Sequence, residues 1–444
     1  MRATSLVSIL LLLFITSCKE TEKDEPLTPN FIIIMADDLG YGDLSCYGNK
    51  NIFTPHIDQL AKSGVTFTDF HSNGSVCSPT RAALITGKYQ QRTGVKGVIT
   101  AKNHREVGLS LDEISVAEEL KKYNYNTAMF GKWHLGYSKN YNPTLQGFDQ
   151  FEGFVSGNVD YHAHIDQEGY LDWWKGMKID NEDGYSTDMI TENGVKFIKQ
   201  NNPNKTGKPF FLYLPHEAPH GPYQRRIDGV LRKVGVAGTK NVNKDSIPGI
   251  YKEMIEIMDE GIGKIVETLK ATDQLENTMI IFLSDNGASQ KGSNGILRGH
   301  KSSPFEGGSR VPAIISFPNK IPKGIVNHQT AMTMDLLPTL LDFINKKPTN
   351  KIDGISLKNN LLKEENLIER DVFYAFKNFS FIRNGKWKLI KNSNNNKLSL
   401  FNLAIDIKES NNLALNEPDL TENLLEKLSL WEEVVNKNVK TISD

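Results

Sequence analysis

Runs of almost unbroken apolar character recur along the chain, at Asn30 to Ala36, Tyr125 to Phe130, Pro209 to Leu214, Thr278 to Ser284 and Val311 to Phe317. They are rich in β-branched residues, too short for ordinary helices and without polar alternation, so they predict strands covered on both faces. Between them, Ser115 to Lys122 and Ile250 to Lys270 carry helical spacing. In the second, Ile250, Met254, Ile257, Met258, Ile262 and Ile265 fall on one stripe. Strands alternating with helices predict an α/β fold, a large mostly parallel sheet sandwiched by helices. Polar residues just past the C-terminal ends of such strands face the ligand crevice. From about Asp371 the texture changes to short strand-like runs at Val372 to Phe376, Phe379 to Arg383, Trp387 to Ile390 and Leu398 to Leu403, with a turn signal at Asn384-Gly385. These predict a smaller C-terminal antiparallel sheet, followed by a helix over Glu417 to Val435.

With 444 residues, 39% of them apolar, the chain is long enough for a large domain, read as residues 30–365, and a smaller one, 366–444. A formal charge of -1 gives no global field that would attract nucleic acid, so any anion selectivity is local. The start, Met1-Arg2 and then Leu6 to Ile15, reads as a cleaved signal over residues 1–18. Its end, I-T-S-C, resembles a bacterial lipobox. That implies lipidation of Cys18, a charged tether over 19–29 and a lipid-anchored place in the bacterial cell envelope, periplasmic or on the outer surface. Of the two other cysteines, a Cys46–Cys77 disulfide is conceivable, but Cys77 sits in a motif with another use.

That motif is S-V-C-S-P-T-R-A-A-L-I-T-G, Ser75 to Gly87, in which the cysteine precedes Pro79 and Arg81. Asp37 and Asp38 end the first strand, and Asp285 and Asn286 end another in S-D-N-G; oxygen donors at strand ends are what a hard cation needs, and no His and Cys cluster favours zinc. G-K-W-H-L-G follows a third strand with Lys132 and His134, P-H-E-A-P-H-G-P follows a fourth with His216 and His220, and G-I-L-R-G-H-K-S-S-P-F-E-G-G-S-R-V-P carries Arg298, His300, Lys301, Glu306 and Arg310.

In this order the blocks resemble the formylglycine-dependent sulfatases of the alkaline phosphatase superfamily, the arylsulfatase and N-acetylgalactosamine-6-sulfatase-like group, over nearly the whole mature chain. Thr80 stands where serine is commoner, and Asn124 where glycine is usual. The resemblance implies that Cys77 is oxidised by a maturation enzyme to formylglycine, whose hydrate has one hydroxyl to attack sulfur and one to expel sulfate. It implies Ca2+ held by Asp37, Asp38, Asp285 and Asn286 with the oxygen at position 77. Arg81 would hold the formylglycine, Lys132 neutralise sulfate, His134 take a proton, and His220 or Lys301 protonate the leaving oxygen. Arg298, His300 and His216 are candidates for substrate contact, and Glu306 and Arg310 for bracing the loop. The expected substrate is a sulfated carbohydrate, galactose or N-acetylgalactosamine type slightly favoured. Aromatic and polar stretches at Asn158 to His164 and Asp172-Trp173-Trp174 can build a sugar cleft or belong to the core. The rival readings are a phosphate or phosphonate monoester hydrolase of the same superfamily, and a non-catalytic glycan-binding lipoprotein.

Overall fold

A computed structural model describes residues 28–180, 182–363 and 365–443; the signal, Cys18 and most of the tether lie outside the described residues. Eleven strands form the large sheet: β1 (Asn30–Ala36), β2 (Val65–His71), β3 (Asn126–Lys132), β4 (Gln150–Phe154), β5 (Trp174–Lys175), β6 (Lys178–Ile179), β7 (Phe210–Pro215), β8 (Thr278–Ser284), β9 (Arg310–Ser316), β10 (Ile325–Asn327) and β11 (Ala331–Met332). The order is β10-β2-β9-β8-β1-β7-β3-β4-β5-β6, with β11 pairing β2. Its centre, β8-β1-β7-β3-β4, is parallel, whereas β9 runs antiparallel to both β8 and β2.

Every residue of β1 is buried. Phe31, Ile33 and Met35 join one core with Ala82, Leu84, Ile85, Val116 and Leu336, while Ile32, Ile34 and Ala36 join another with Ile190, Met254, Met258 and Ile262. Alternate side chains of one strand thus feed two helix layers, which is why its sequence shows no polar alternation. The helix Ile247–Ala271 buries all six residues of the predicted stripe. Val116–Lys121 begins with a capping box at Ser115 and Glu118. Asn124 has φ +65°, so the turn before β3 keeps the left-handed conformation that glycine would supply, within asparagine's reach.

The second sheet is the antiparallel meander β12 (Asp371–Phe376), β13 (Phe379–Asn384), β14 (Trp387–Asn392) and β15 (Lys397–Asn402). The helix Pro418–Asn436 covers one face through Leu424, Leu428, Trp431 and Val435. The two sheets are joined by buried charge. Lys388 of β14 lies 2.9 Å from Glu306 and 2.9 Å from Glu409, while Asp69 of β2 receives Arg383 at 2.6 Å and His71 at 2.9 Å. Burial would raise the Glu306 carboxyl, but Lys388, His71 and the arginines Arg383 and Arg310 outweigh it and hold the group well below the usual range. A carboxyl so depressed contributes stability that is present above its unfolded pKa and is lost as pH falls towards its folded one. Lys388→Ala leaves two carboxylates buried with fewer partners and is expected to cost about 3–5 kcal/mol. Chemical denaturation at neutral pH checks the loss, and the penalty should shrink in acid as Glu306 and Glu409 protonate.

Candidate active site

Strands β1 and β8 are in parallel register, with Ala36 opposite Ser284, so the residues that follow them arrive side by side. Asp37, Asp38, Asp285 and Asn286 are all buried there. Asp38 turns out of the strand at φ +63°, its N–H donates to Asp285 Oδ1 at 3.1 Å, and Asn286 Nδ2 donates to Asp38 Oδ1 at 2.7 Å. Three buried carboxylates in one place repel unless compensated. Each has met a cation: Lys132 at the end of β3 pairs with Asp37, Arg81 with Asp285 at 2.9 Å, and Lys301 with Asp38 at 2.7 Å.

Cys77 is the first residue of the helix Cys77–Thr86, whose ten residues are all buried. Its thiol is 3.4 Å from Asp37 Oδ1 and 3.4 Å from Lys301 Nζ. Position 77 therefore lies at the positive end of the helix dipole, which favours anionic oxygen there. Burial, and Asp37 after it, push the unmodified thiol up to about 12, so it is not a thiolate nucleophile at neutral pH. The helix is wedged between the sheets: Ala82, Leu84 and Ile85 belong to a core of the large sheet, Ala83 to that of the small one, and Val76 packs with Tyr374, Phe381 and Phe401. Thr80 accepts from the Gly74 N–H at 3.1 Å and donates to the Gly74 carbonyl at 3.0 Å, work that a serine hydroxyl would also do.

His134 has φ +57°, and its Nε2 lies 2.8 Å from the Ile99 carbonyl, so Nε2 carries the proton. Nδ1 is buried without a partner and holds the lone pair. Burial, then Lys132 and Arg81, lower its pKa well below normal, which keeps the ring neutral and able to accept a proton. His220 bonds the Gly221 carbonyl through Nδ1 at 2.5 Å and turns Nε2 to Asp38 at 3.7 Å. Burial lowers it to about 3 against the pull of Asp38.

Cys77, His134, His220 and Lys301 line a cavity of about 120 Å³ with Tyr137 and Asn158. Arg81, Lys132 and the acids form its floor through the contacts above. The other candidates lie apart. His216 is buried, its N–H bonded to the Met35 carbonyl and its ring pushed down to about 4 by burial. Arg298 stacks at 3.8 Å on Phe305 and donates to the Glu409 carbonyl, and His300 is exposed; none of these three lines the cavity. Glu306 and Arg310 are 3.2 Å apart in the network between the sheets. Of the stretches considered for a sugar cleft, Asn158 lines the cavity, whereas His164 stacks on a buried Trp173 at 4.4 Å and is core. Cys46 is a free thiol, as is Cys77. Glu217 was not legible as a site residue: its carboxylate, buried after β7, accepts the Val159 N–H at 2.7 Å and anchors the loop that carries Asn158.

A divalent metal ion fits these residues. Asp37, Asp38, Cys77 and His220 present ligand atoms within 4.8 Å of one another, and Asn286 Oδ1 beside them is a buried acceptor with no partner. A helix N-terminus facing buried cations and acids at the ends of parallel strands suits an anionic ester, and sequence comparison specifies the ester. The model of the Sulfatase family matches residues 29–346 and that of N-sulphoglucosamine sulphohydrolase, C-terminal, matches 300–436, so the chain belongs to the sulfatase family. It is a hydrolase of sulfuric esters. Mouse (Mus musculus) N-acetylgalactosamine-6-sulfatase is 32% identical over 79% of this chain and 69% of its own length; human (Homo sapiens) arylsulfatase A is 31% identical over 81% and 74%. The crystal structure of Ps i-CgsB in complex with k-i-k-neocarrahexaose superposes with a TM-score of 0.83, 30% identity and 94% of each chain covered. The family uses formylglycine and a divalent metal ion.

A Cβ added at Gly157 would lie 2.9 Å from His134 Nε2. Gly157→Ala is therefore expected to displace the ring and lower kcat at least about a hundredfold, with the melting temperature nearly unchanged, as steady-state kinetics and calorimetry on one preparation would reveal.

Proposed function

We propose that this enzyme removes sulfate from a sulfated polysaccharide or its oligosaccharides, with formylglycine at position 77 and Ca2+ held by Asp37, Asp38, Asp285 and Asn286. The observation that carries this reading is the position of Cys77, at a helix N-terminus and 3.4 Å from both Asp37 and Lys301. An aldehyde hydrate supplies two hydroxyls on one carbon, one to attack sulfur and one whose ionisation expels sulfate. A bound divalent ion supplies a centre that draws electron density from the sulfate oxygens. All-oxygen, carboxylate-rich donors favour calcium over softer metals.

The chain's own residues supply the rest. Asp37, Asp38 and Asp285 are balanced by Lys132, Lys301 and Arg81, so a dication would leave the site positive, which suits an anionic sulfate ester. Lys301, in reach of position 77 on a flexible stem, donates to the sulfate and the bridging oxygen. His220 lies on the same side with its Nε2 lone pair towards Asp38, so the proton of the departing alcohol comes from Lys301. His134 Nδ1 takes the proton whose loss restores the carbonyl. Arg81, donating to Asp285 and to the Lys132 carbonyl at 3.0 Å, keeps the floor in place.

A galactose-type substrate is supported by relatives: one is named for N-acetylgalactosamine, and one structure holds a neocarrahexaose. Position 77 requires a maturation enzyme, and the N-terminal pattern supports a lipid anchor at Cys18 on the bacterial cell envelope. Two measurements test the reading. Enzyme matured with a formylglycine-generating enzyme and loaded with calcium should release sulfate from galactans, glycosaminoglycan oligosaccharides or an aryl sulfate, and Cys77→Ala should reduce release to background. A carbonyl-positive enzyme that cleaved only phosphate or phosphonate esters would sink it. Calcium at a hundred times its Kd should raise stability by about 2.7 kcal/mol, an increment that Asp285→Ala removes in thermal denaturation.

A further inference from the structure

The cavity above Cys77 has about 120 Å³, far below the roughly 300–1,000 Å³ of sites that enclose a ligand of drug size. It suits a sulfate group and the edge of one sugar ring. Three of its lining residues, Tyr137, Asp166 and Glu168, also line a second cleft of about 500 Å³. The two spaces are thus neighbours on either side of these residues.

The second cleft has the make-up of a saccharide site. Trp174 and Tyr170 give it aromatic surface, and Tyr170 is 58% exposed. Arg105 stacks on Tyr170 at 4.1 Å and donates through Nη2 to Asp166 at 3.0 Å. Asp166 is its only ion-pair partner among the described residues, and the Arg105 side chain remains 36% exposed. The guanidinium is thus anchored along one edge and open along another.

The support beneath is rigid. Asp166 Oδ1 accepts the N–H groups of Glu168 and Tyr170, each at 2.9 Å. Asp160 gathers the backbone N–H groups of Ala163, Leu231 and Arg232, and Arg232 in turn donates to the Ile165 carbonyl at 3.0 Å. The Gly235 N–H donates to the Gly169 carbonyl at 2.9 Å. A cleft held this way is formed before ligand arrives, which lowers the ordering cost of binding.

We propose that the second cleft is a subsite for the sugar next to the sulfated one, and that Arg105 selects an acidic group, sulfate or carboxylate, on that sugar. The inference rests on sulfate ester hydrolysis at the Cys77 cavity and makes a saccharide chain, rather than a free monosaccharide, the preferred substrate.

Calorimetric titration of the Cys77→Ala protein tests it with three hexasaccharides (chondroitin 6-sulfate, its desulfated form and carrageenan) and N-acetylgalactosamine 6-sulfate. Adding Arg105→Ala should weaken an acidic hexasaccharide roughly tenfold, the worth of one charge-assisted hydrogen bond, and the monosaccharide much less. Tyr170→Ala, a change at a mostly exposed ring, should act in the same direction and keeps the test valid if Arg105→Ala disturbs the loop. The desulfated chain, which lacks the sulfate for the Cys77 cavity, is the weak-binding control; Arg105 dependence with the chondroitin 6-sulfate chain alone assigns the contact to carboxylate, and dependence that extends to carrageenan, which has no carboxylate, assigns it to sulfate. Equal losses for monosaccharide and hexasaccharide, no loss with either variant, or no binding of any hexasaccharide overturns the subsite. Failure of mature, unmutated enzyme to release sulfate would instead overturn the proposed function and leave the binding result standing.

Discussion

Three carboxylates buried at the ends of two adjacent strands are the constraint around which this molecule is arranged. Charge in that position is costly unless each group is answered by an opposite charge or a metal, and the answers come from distant parts of the sequence. Arg81 arrives on the helix after position 77, Lys132 at the end of β3 and Lys301 on a loop that rejoins the sheet at β9. The parallel pairing of β1 with β8 brings the acids together, and the positions of the cations follow from it.

The same constraint explains the environment of the histidines. With cations crowded onto the acids, a second positive charge on a ring is disfavoured, and burial acts in the same sense. His134 and His220 are therefore neutral, and each has one nitrogen committed to a backbone carbonyl. In each ring the other nitrogen therefore carries the lone pair: Nδ1 at His134 and, 3.7 Å from Asp38, Nε2 at His220.

Much of this was legible in the chain because local patterns and long-range partners agreed. The apolar runs marked β1, β3, β7, β8 and β9 to within two residues, and the acids and bases that cluster sit just past them. Strand β2 is not an unbroken apolar run: V-T-F-T alternates as a half-buried strand does, the D-F-H that follows places Asp69 and His71 in the buried network, and it pairs with β9 and β10. Glu217 was hidden, since its role is to receive a backbone N–H from a loop far away in sequence. Arg298 and His300 looked like contact residues because they neighbour Lys301. Sequence proximity did not translate into a shared direction: the side chain of Arg298 turns to the C-terminal segment at Glu409 instead.

The helix that begins at Cys77 lies between two hydrophobic cores, and Ser75 just before it hydrogen-bonds Tyr374 of the second sheet. Two family models divide the chain, yet they overlap over residues 300–346, where Glu306 meets Lys388. A chain cut at the end of the first would leave Ala83 and Val76 facing water and Glu306 short of a cation. The boundary between the two family models thus does not fall between separately packed cores: the helix that begins at Cys77 packs against both sheets, and the charge network around Glu306 is completed from the C-terminal segment.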